Sequence, residues 1–245
     1  MFLNLQLNSR HGGPRRKDGV TMFLVFTPKD SSQQNPFKPM TQIYLISPPQ
    51  IELKTFSQRL ESALKTNLVP TFQLRLKNYP LPEVKKIAQE LLKICRDNNC
   101  LFLLNDSYEM AWDIGAGGVH LGVEDGSIAT ARKKSPTNFV IGASCYDSKH
   151  LAMEAGEQGA DYVSFGAFFA SKTKSSRGKP TPEIIEWCNE IMNLPIVAIG
   201  GITAENCQPL VQSGADFLSV ISYVWDHPQG EVVALQRLGV VVAKS

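Results

Sequence analysis

The feature that most constrains this chain is a regular alternation, from residue 41 onward, of short β-rich runs with helical stretches. This alternation is typical of βα units, whose strands pair in parallel. Eight such units follow one another, which is the number that closes a (β/α)8 barrel. We therefore predict an α/β fold, a single-domain (β/α)8 TIM barrel over residues 40–245. An open doubly wound sheet is the alternative arrangement of the same units.

The limits of the predicted elements follow from changes in hydrophobic period and from helix start and stop signals. Strands are expected at residues 43–47, 72–76, 101–105, 118–122, 140–145, 162–166, 196–200 and 217–222. Helices are expected near residues 52–66, 82–97, 107–115, 126–135, 148–158, 181–193, 204–213 and 230–243. Gly115, Gly159 and Gly214 each end a helix before the next strand, as left-handed C-terminal caps require.

Residues 1–39 form a separate, irregular and basic segment. It contains six Lys or Arg and two Asp, with a Gly-Gly-Pro turn and a polar run near residue 33. We expect a poorly ordered N-terminal extension, in which the apolar residues 22–26 can pair or pack locally. Met40 stands directly before the first strand, so a translation start there is an alternative, and an organelle-targeting leader is a weaker one.

Charge and composition exclude several classes of function. The whole chain has a net charge of +2, so the part after the basic extension is mildly acidic and offers no broad surface for nucleic acid. No apolar run approaches the roughly 20 residues that cross a bilayer. Five cysteines without C-x-x-C spacing favour reduced thiols and a cytoplasmic location. An enzyme acting on small molecules remains, as either a monomer or a homodimer.

Barrel enzymes carry their active sites where the strands end, so polar residues there are informative. The second strand ends in Gln73, Arg75 and Lys77, which a period of two places on one face. Polar side chains directed into a barrel need a ligand or charged partners. A solvated edge strand is the alternative explanation, but the apolar residues between them favour a ligand site.

Acidic residues follow the third and fourth strands. Asn105 and Asp106 end one strand and Asp125 follows the next, so the two carboxylates can bind a hard cation such as Mg²⁺. A helix cap is the other interpretation of Asn105 and Asp106. His120 lies inside the fourth strand, and the sequence leaves open whether it is a core or a catalytic histidine.

The later strand ends favour phosphate. Ser144 ends the fifth strand, and the sixth opens into a loop rich in hydroxyls and positive charge at residues 170–179. Gly200 and Gly201 end the seventh strand, where backbone N–H groups can approach an anion. The loops after the seventh and eighth strands form the frequent phosphate site of such barrels.

Together these residues resemble the thiamine-phosphate synthase family, within the thiamine monophosphate synthase and thiazole tautomerase superfamily. The matching positions are residues 73–77, 104–106, 118–122 with Glu124 and Asp125, Ser144, 171–174, 200–202 and 220–222. No single motif is decisive, but the ordered set is specific.

The resemblance implies a transferase of thiamine biosynthesis. It would join hydroxymethylpyrimidine diphosphate to thiazole phosphate by alkyl transfer from the pyrimidine methylene to the thiazole nitrogen, with Mg²⁺, giving thiamine phosphate and pyrophosphate. The implied residues are Gln73, Arg75, Lys77, Asn105, Ser144 and Lys174 for the pyrimidine diphosphate; Ser171, Lys172, Thr173, Gly201, Ile221 and Ser222 for the thiazole phosphate; and Asp106 and Asp125 for the metal. Arg75, Lys77 and Lys174 would also be catalytic, with His120 as a further candidate.

Three positions depart from the family pattern. Ser107 stands where the family usually has arginine, Val123 where it has glutamine, and Ala170-Ser171 where it has Pro-Thr. Two alternatives therefore remain. One is a thiazole tautomerase of the same superfamily, which needs no diphosphate site. The other is a non-catalytic paralogue that binds thiamine precursors.

Overall fold

The computed structural model describes Phe26, residues 40–170 and residues 178–243. Within them the strands are β1 Gln42–Ile46, β2 Thr71–Leu74, β3 Leu101–Asn105, β4 Gly118–Leu121, β5 Val140–Tyr146, β6 Tyr162–Gly166, β7 Ile196–Ile199 and β8 Phe217–Val220. The helices are α1 Leu53–Leu64, α2 Leu81–Asp97, α3 Tyr108–Asp113, α4 Ile128–Lys134, α5 Lys149–Glu157, α6 Glu183–Ile191, α7 Gln208–Gln212, α8 Ser222–Trp225 and α9 Glu231–Val242.

The strands form a closed parallel barrel in sequence order. Each strand pairs with the next, and β8 pairs with β1. The predicted (β/α)8 barrel is therefore confirmed, and the open sheet is wrong. No described helix is long and apolar enough to span a membrane.

Several element ends differ from the sequence prediction. Strand β2 ends at Leu74, so Arg75 and Lys77 lie in the following loop, where the Lys77 amide donates to the Pro49 carbonyl at 2.9 Å. The predicted last strand stops at Val220, and the short helix α8 begins at Ser222. The predicted helix over residues 204–213 shortens to α7, because Asn206 and its neighbours form a hydrogen-bonded turn.

Alternate residues of each strand divide the core into two parts. Side chains such as Leu45, Phe72 and Phe102 point outward and pack under the helices in one large buried cluster. Tyr44 and Tyr162 point inward, into a smaller cluster that fills the barrel. Period-two alternation in a closed parallel sheet produces this division, since neither face of the strands is left to solvent.

Phe26 belongs to the inner cluster although it lies far outside the predicted barrel. Its side chain is 8% exposed, and its ring stacks on Tyr162 with centroids 4.3 Å apart and contacts Phe217 at 4.6 Å. Tyr162 and Phe217 are the first residues of β6 and β8, so Phe26 occupies the N-terminal end of the barrel interior. This residue packs into the core, whereas local packing was expected; the rest of residues 1–39 lies outside the described part.

We predict that Phe26→Ala lowers the free energy of unfolding by about 3 kcal/mol, because it removes a buried ring from a packed interior. Phe26→Leu should cost about 1 kcal/mol, since most of the volume is retained. Urea unfolding of the full chain, followed by far-UV circular dichroism, measures both. Equal stability of all three proteins would show that Phe26 does not pack in the barrel.

Candidate active site

A cavity of about 690 Å³ opens at the C-terminal ends of the strands. It is lined by most of the side chains singled out in the sequence. These are Gln73, Arg75, Lys77, Asn105, Asp106, His120, Asp125, Ser144, Gly201, Ile221 and Ser222. Ser171, Lys172, Thr173 and Lys174 lie outside the described residues. The structure thus brings the described candidates into one pocket, although they come from six different strand ends.

Two carboxylates share one corner of this pocket. Asp106 follows β3 with a left-handed φ of 73° and holds its backbone amide on the His120 carbonyl at 2.9 Å. Asp125 accepts a 2.7 Å hydrogen bond from the Gly122 amide. Burial raises the pKa of Asp106, and a hydrogen bond and like charge from Asp125 raise it further. The two carboxyl groups therefore form a like-charge pair that a cation can stabilise.

Positive charge faces this pair. The Lys77 ammonium lies 3.6 Å from Asp106 Oδ2, with both side chains nearly half exposed. The charges of Lys77 and Arg75 lower the pKa of Asp106, against the larger effect of burial. Such an exposed ion pair contributes little to stability, so its value lies in placing charge at the pocket.

Two amide side chains complete this corner. Asn105 donates to Asp106 Oδ1, which fixes the carboxylate. Gln73 is 2% exposed, and its Nε2 has no hydrogen-bond partner among the described residues. An unpaired buried amide is costly unless a ligand satisfies it.

Ser107 replaces the proposed helix cap. Its hydroxyl accepts from the Met110 amide at 3.3 Å, so Ser107, and not Asn105 or Asp106, caps α3. The cap interpretation of the Asn-Asp pair is therefore wrong. Both side chains remain available to the pocket.

His120 lies between the pocket and the barrel core. Its Nε2 is 2.9 Å from Ser144 Oγ, and its Nδ1 is 2.8 Å from the Tyr162 hydroxyl. The ring therefore belongs to both environments that the sequence left open: it contacts a core tyrosine on one side and a pocket serine on the other.

The opposite side of the pocket is built from backbone. Gly200 and Gly201 have φ values of 105° and 62°, and a Cβ at Gly201 would lie 2.3 Å from the Ala170 carbonyl oxygen. The Asn206 side chain holds this turn by bonding the Gly201 carbonyl and the Thr203 amide at 2.9 Å and 2.8 Å. Only glycine fits here, and the bare backbone can approach an anion closely.

Several pocket residues were missed in the sequence. Tyr44, Ser164 and Ser219 line the cavity from inside β1, β6 and β8, and Thr203 and Tyr223 from the following loops. Alternation along β6 and β8 would have placed the two serines inward, each two residues after the inward ring of Tyr162 or Phe217. No local signal marks the others, because their contribution depends on closure of the barrel.

The carboxylate pair predicts a pH-dependent stability in the absence of divalent cations. Because its folded pKa is raised, Asp106 keeps its proton in the folded state above the unfolded value of about 4, so stability falls as pH rises through this window. Asp125→Asn removes the like charge and should raise the melting temperature at about pH 7, with the gain vanishing near pH 4.

Differential scanning fluorimetry in chelator between these pH values measures the effect. Asp97→Asn, at the exposed end of α2, is the matched control and should leave the wild-type profile unchanged. A lower melting temperature for Asp125→Asn at neutral pH would contradict the described pairing.

Comparison with known proteins identifies the family of this chain. The family model for thiamine monophosphate synthase matches residues 43–224. A thiamine-phosphate synthase of Erythrobacter litoralis is 48% identical over 189 residues, covering 76% of this chain and 88% of that protein. One of Rhodospirillum centenum is 43% identical over 194 residues, covering 79% and 94%. The solved structure of thiamine phosphate pyrophosphorylase from Pyrococcus furiosus superposes with a TM-score of 0.72 at 31% identity, covering 84% and 98%.

Other barrels resemble the fold alone. A 3-keto-L-gulonate-6-phosphate decarboxylase of Vibrio cholerae superposes with a TM-score of 0.65 at 14% identity, covering 85% of this chain and 99% of that one. The sequence match, by contrast, spans all eight strands except the first residue of β1. The chain belongs to the thiamine monophosphate synthase family.

Proposed function

We propose that this protein is a Mg²⁺-dependent thiamine-phosphate synthase, which couples hydroxymethylpyrimidine diphosphate to thiazole phosphate and releases pyrophosphate. The observation that carries the proposal is the convergence, in one pocket, of a carboxylate pair, two cationic side chains and a glycine turn. These groups match two phosphorylated substrates lying side by side. The names of the relatives contain thiamine phosphate, and the resemblance to the family implies the two precursors.

The pyrimidine diphosphate fits the corner built after β2 to β5. Arg75 and Lys77 bring positive charge to the diphosphate oxygens, and Asn105 adds an amide beside them. Gln73 and Ser144 lie deeper, where hydrogen-bonding groups would meet the pyrimidine ring. Lys174, outside the described residues, would add a charge from the loop after β6.

The thiazole phosphate fits the opposite side. The backbone at Gly201, Ile221 and Ser222 lines the pocket there, and glycine lets an anion approach the amides. Ser171, Lys172 and Thr173 follow β6 in the chain and would complete this part. The two anions would then be held apart, with the reacting atoms between them.

The residues present fit a magnesium ion. Burial raises the pKa of Asp106, and a hydrogen bond and like charge from Asp125 raise it further; a divalent cation bound there would relieve the repulsion between the two carboxylates. The described residues hold no group of three or more potential metal ligands. Two carboxylates suit magnesium, which commonly takes one or two of them and completes its shell with water and phosphate oxygens. When bound, the ion would supply positive charge to the leaving pyrophosphate.

In the proposed reaction the bond between the pyrimidine methylene carbon and the diphosphate oxygen breaks, and its electron pair leaves with pyrophosphate. The thiazole nitrogen then forms the new bond to the methylene carbon with its lone pair. Arg75 and Lys77 stabilise the charge that grows on the departing oxygens. No protein nucleophile is required, so positioning and electrostatics would do most of the catalysis.

The two alternatives differ in what they require of the pocket. A thiazole tautomerase needs no diphosphate corner, yet Lys77, Asp106 and Asp125 are brought together in this chain. The alternative of a non-catalytic paralogue rests on Ser107 and Val123, which depart from the family pattern. Ser107 has a structural role as the cap of α3, which weakens that argument.

A cytoplasmic location accompanies the proposal. The five cysteines are buried in the structure and form no disulfide bond. Burial raises the pKa of the Cys145 thiol to about 12, so it stays protonated and unreactive. Buried thiols of this kind fit a reducing compartment.

The purified full chain should form thiamine phosphate and pyrophosphate from the two precursors with Mg²⁺, and chelator should abolish the reaction. Asp125→Ala should lower kcat/KM at least about 100-fold, because it removes a metal ligand at the leaving group. Chromatography of the product and a coupled pyrophosphate assay measure both.

Asp97→Ala is the matched control and should keep wild-type activity. Tautomerised thiazole without coupling would instead identify the first alternative. Tight binding of the precursors without turnover would identify the second.

Gln73→Met should raise the KM for the pyrimidine diphosphate about tenfold while leaving the free energy of unfolding unchanged or about 1 kcal/mol higher. The substitution removes a buried amide whose nitrogen has no hydrogen-bond partner among the described residues, but it keeps the side-chain volume. Thr71→Val is the matched control, since Thr71 Oγ1 is also buried, one layer deeper, and also has no partner within the described part of the chain. Thr71→Val should change the free energy of unfolding by a similar amount to Gln73→Met and leave the KM unchanged. An equal KM for the two variants would refute a ligand role for Gln73.

A further inference from the structure

A chain of four side chains runs from the pocket into the centre of the barrel. Ser144 Oγ lies 2.9 Å from His120 Nε2, and His120 Nδ1 lies 2.8 Å from the Tyr162 hydroxyl. The Tyr162 hydroxyl in turn lies 2.8 Å from that of Tyr44. The four residues face inward from β5, β4, β6 and β1, so the chain crosses the barrel interior.

The register of the sheet leaves room for this chain. Gly142 of β5 is paired with His120 on one side and with Tyr162 on the other. A Cβ at Gly142 would lie 1.9 Å from Cζ of Tyr162 and 2.3 Å from its hydroxyl oxygen. The missing side chain therefore lets the tyrosine reach across β5 to the histidine.

The tyrosine end of the chain is buried among aromatic rings, although Tyr44 also borders the cavity. Tyr44 and Tyr162 are 1% and 0% exposed. The Phe26 ring stacks on Tyr162, and the Phe217 ring lies edge-on to Tyr44. In such surroundings an unmade hydrogen bond is expensive, so each hydroxyl proton must go to an acceptor.

This requirement gives the chain a direction. Among the described residues, Tyr162 is the hydrogen-bond partner of the Tyr44 hydroxyl, so Tyr44 donates to Tyr162. The single proton of Tyr162 then goes to Nδ1 of His120. A neutral His120 with an accepting Nδ1 carries its proton on Nε2 and donates it to Ser144. The proton of Ser144 is left to point away from His120.

We propose that Tyr162 is a positioning residue that acts through His120 to hold Ser144 as a hydrogen-bond donor toward the bound substrate. Ser144 lines the pocket, so its hydroxyl proton is directed at an acceptor of the ligand. With the opposite direction, Ser144 would donate to His120 and could only accept from the ligand. The chain thus selects an acceptor atom on the pyrimidine. Only the identity of that ligand rests on the proposed function.

Nitrogen-15 NMR of the histidine rings in the wild-type full chain tests the direction without any ligand or activity. The protein has four histidines, so comparison with the His120→Asn variant assigns the signal of His120. The expected result is a proton on Nε2 and none on Nδ1. A proton on Nδ1, or on both nitrogens, would overturn the proposal. This test stands whether or not the protein makes thiamine phosphate.

Steady-state kinetics tests the consequence. Tyr162→Phe removes the donor to Nδ1 and lets His120 change tautomer, so the KM for hydroxymethylpyrimidine diphosphate should rise about tenfold with kcat within about twofold. Tyr108→Phe is the matched control. It also removes the hydroxyl of a buried tyrosine, but Tyr108 lies outside the pocket, where its hydroxyl accepts from the Lys134 ammonium at 3.0 Å, so the variant should keep the wild-type KM. Equal KM values in the two variants would mean a merely structural role.

The link through Ser144 is measured by a double-mutant cycle. Ser144→Ala should raise the same KM in the wild type but have little further effect in Tyr162→Phe, because the donor is already lost there. Additive effects would overturn the link. If Tyr162→Phe does not fold, the NMR measurement on the wild type still decides the proposal.

Discussion

The interior of a closed eight-stranded barrel holds a limited volume of side chains. How that volume is shared between apolar rings and polar groups determines both the stability of the fold and the composition of the site. Large rings, including Phe26, Tyr162 and Phe217, occupy the layers at the N-terminal end. Polar groups occupy the layers next to the opposite rim. Gly142 decides where the largest ring fits, because any Cβ there would collide with Tyr162. The polar residues at the rim thus pack on a layer of tightly fitted aromatic rings, which holds them in place as a preorganised site requires.

Much of this arrangement could be predicted because it depends on local pattern. The order of βα units determines a parallel barrel, and parallel strands bring all their C-terminal ends to one rim. Residues as distant in sequence as Gln73 and Ser222 were therefore expected together and do line one cavity. Errors concern the element ends: Arg75 and Lys77 leave the strand early, because backbone bonds to the preceding loop replace those of the sheet.

The rest could not be predicted because it depends on register across the barrel. His120 and Tyr162 are 42 residues apart, and their contact follows from the pairing of both with Gly142. No period or motif near either residue contains that information. The position of Phe26 is a stronger case, since it lies outside the residues that match the family model and yet packs in the inner cluster.

In the corner proposed for the diphosphate, the acidic groups that suit a metal ion oppose the binding of an anion. The described groups that line this corner are acidic at Asp106, Glu124 and Asp125 and basic at Arg75 and Lys77, so they supply no net positive charge. A complex of Mg²⁺ with a diphosphate is still anionic, and such a corner attracts it only through local geometry and charge placement. An arginine at position 107 would add one positive charge.

In this chain the Ser107 hydroxyl is occupied by the first turn of α3, and Val123 at the pocket mouth is 53% exposed and uncharged. Neither therefore contributes charge to the corner proposed for the diphosphate. The affinity for a diphosphate there must depend on the few cations that remain, and the attraction of exposed cations is screened by salt. It follows that the proposed diphosphate side should be more sensitive to ionic strength than the proposed phosphate side. The Gly201 turn presents backbone amides, whose hydrogen bonds are directional and depend less on net charge.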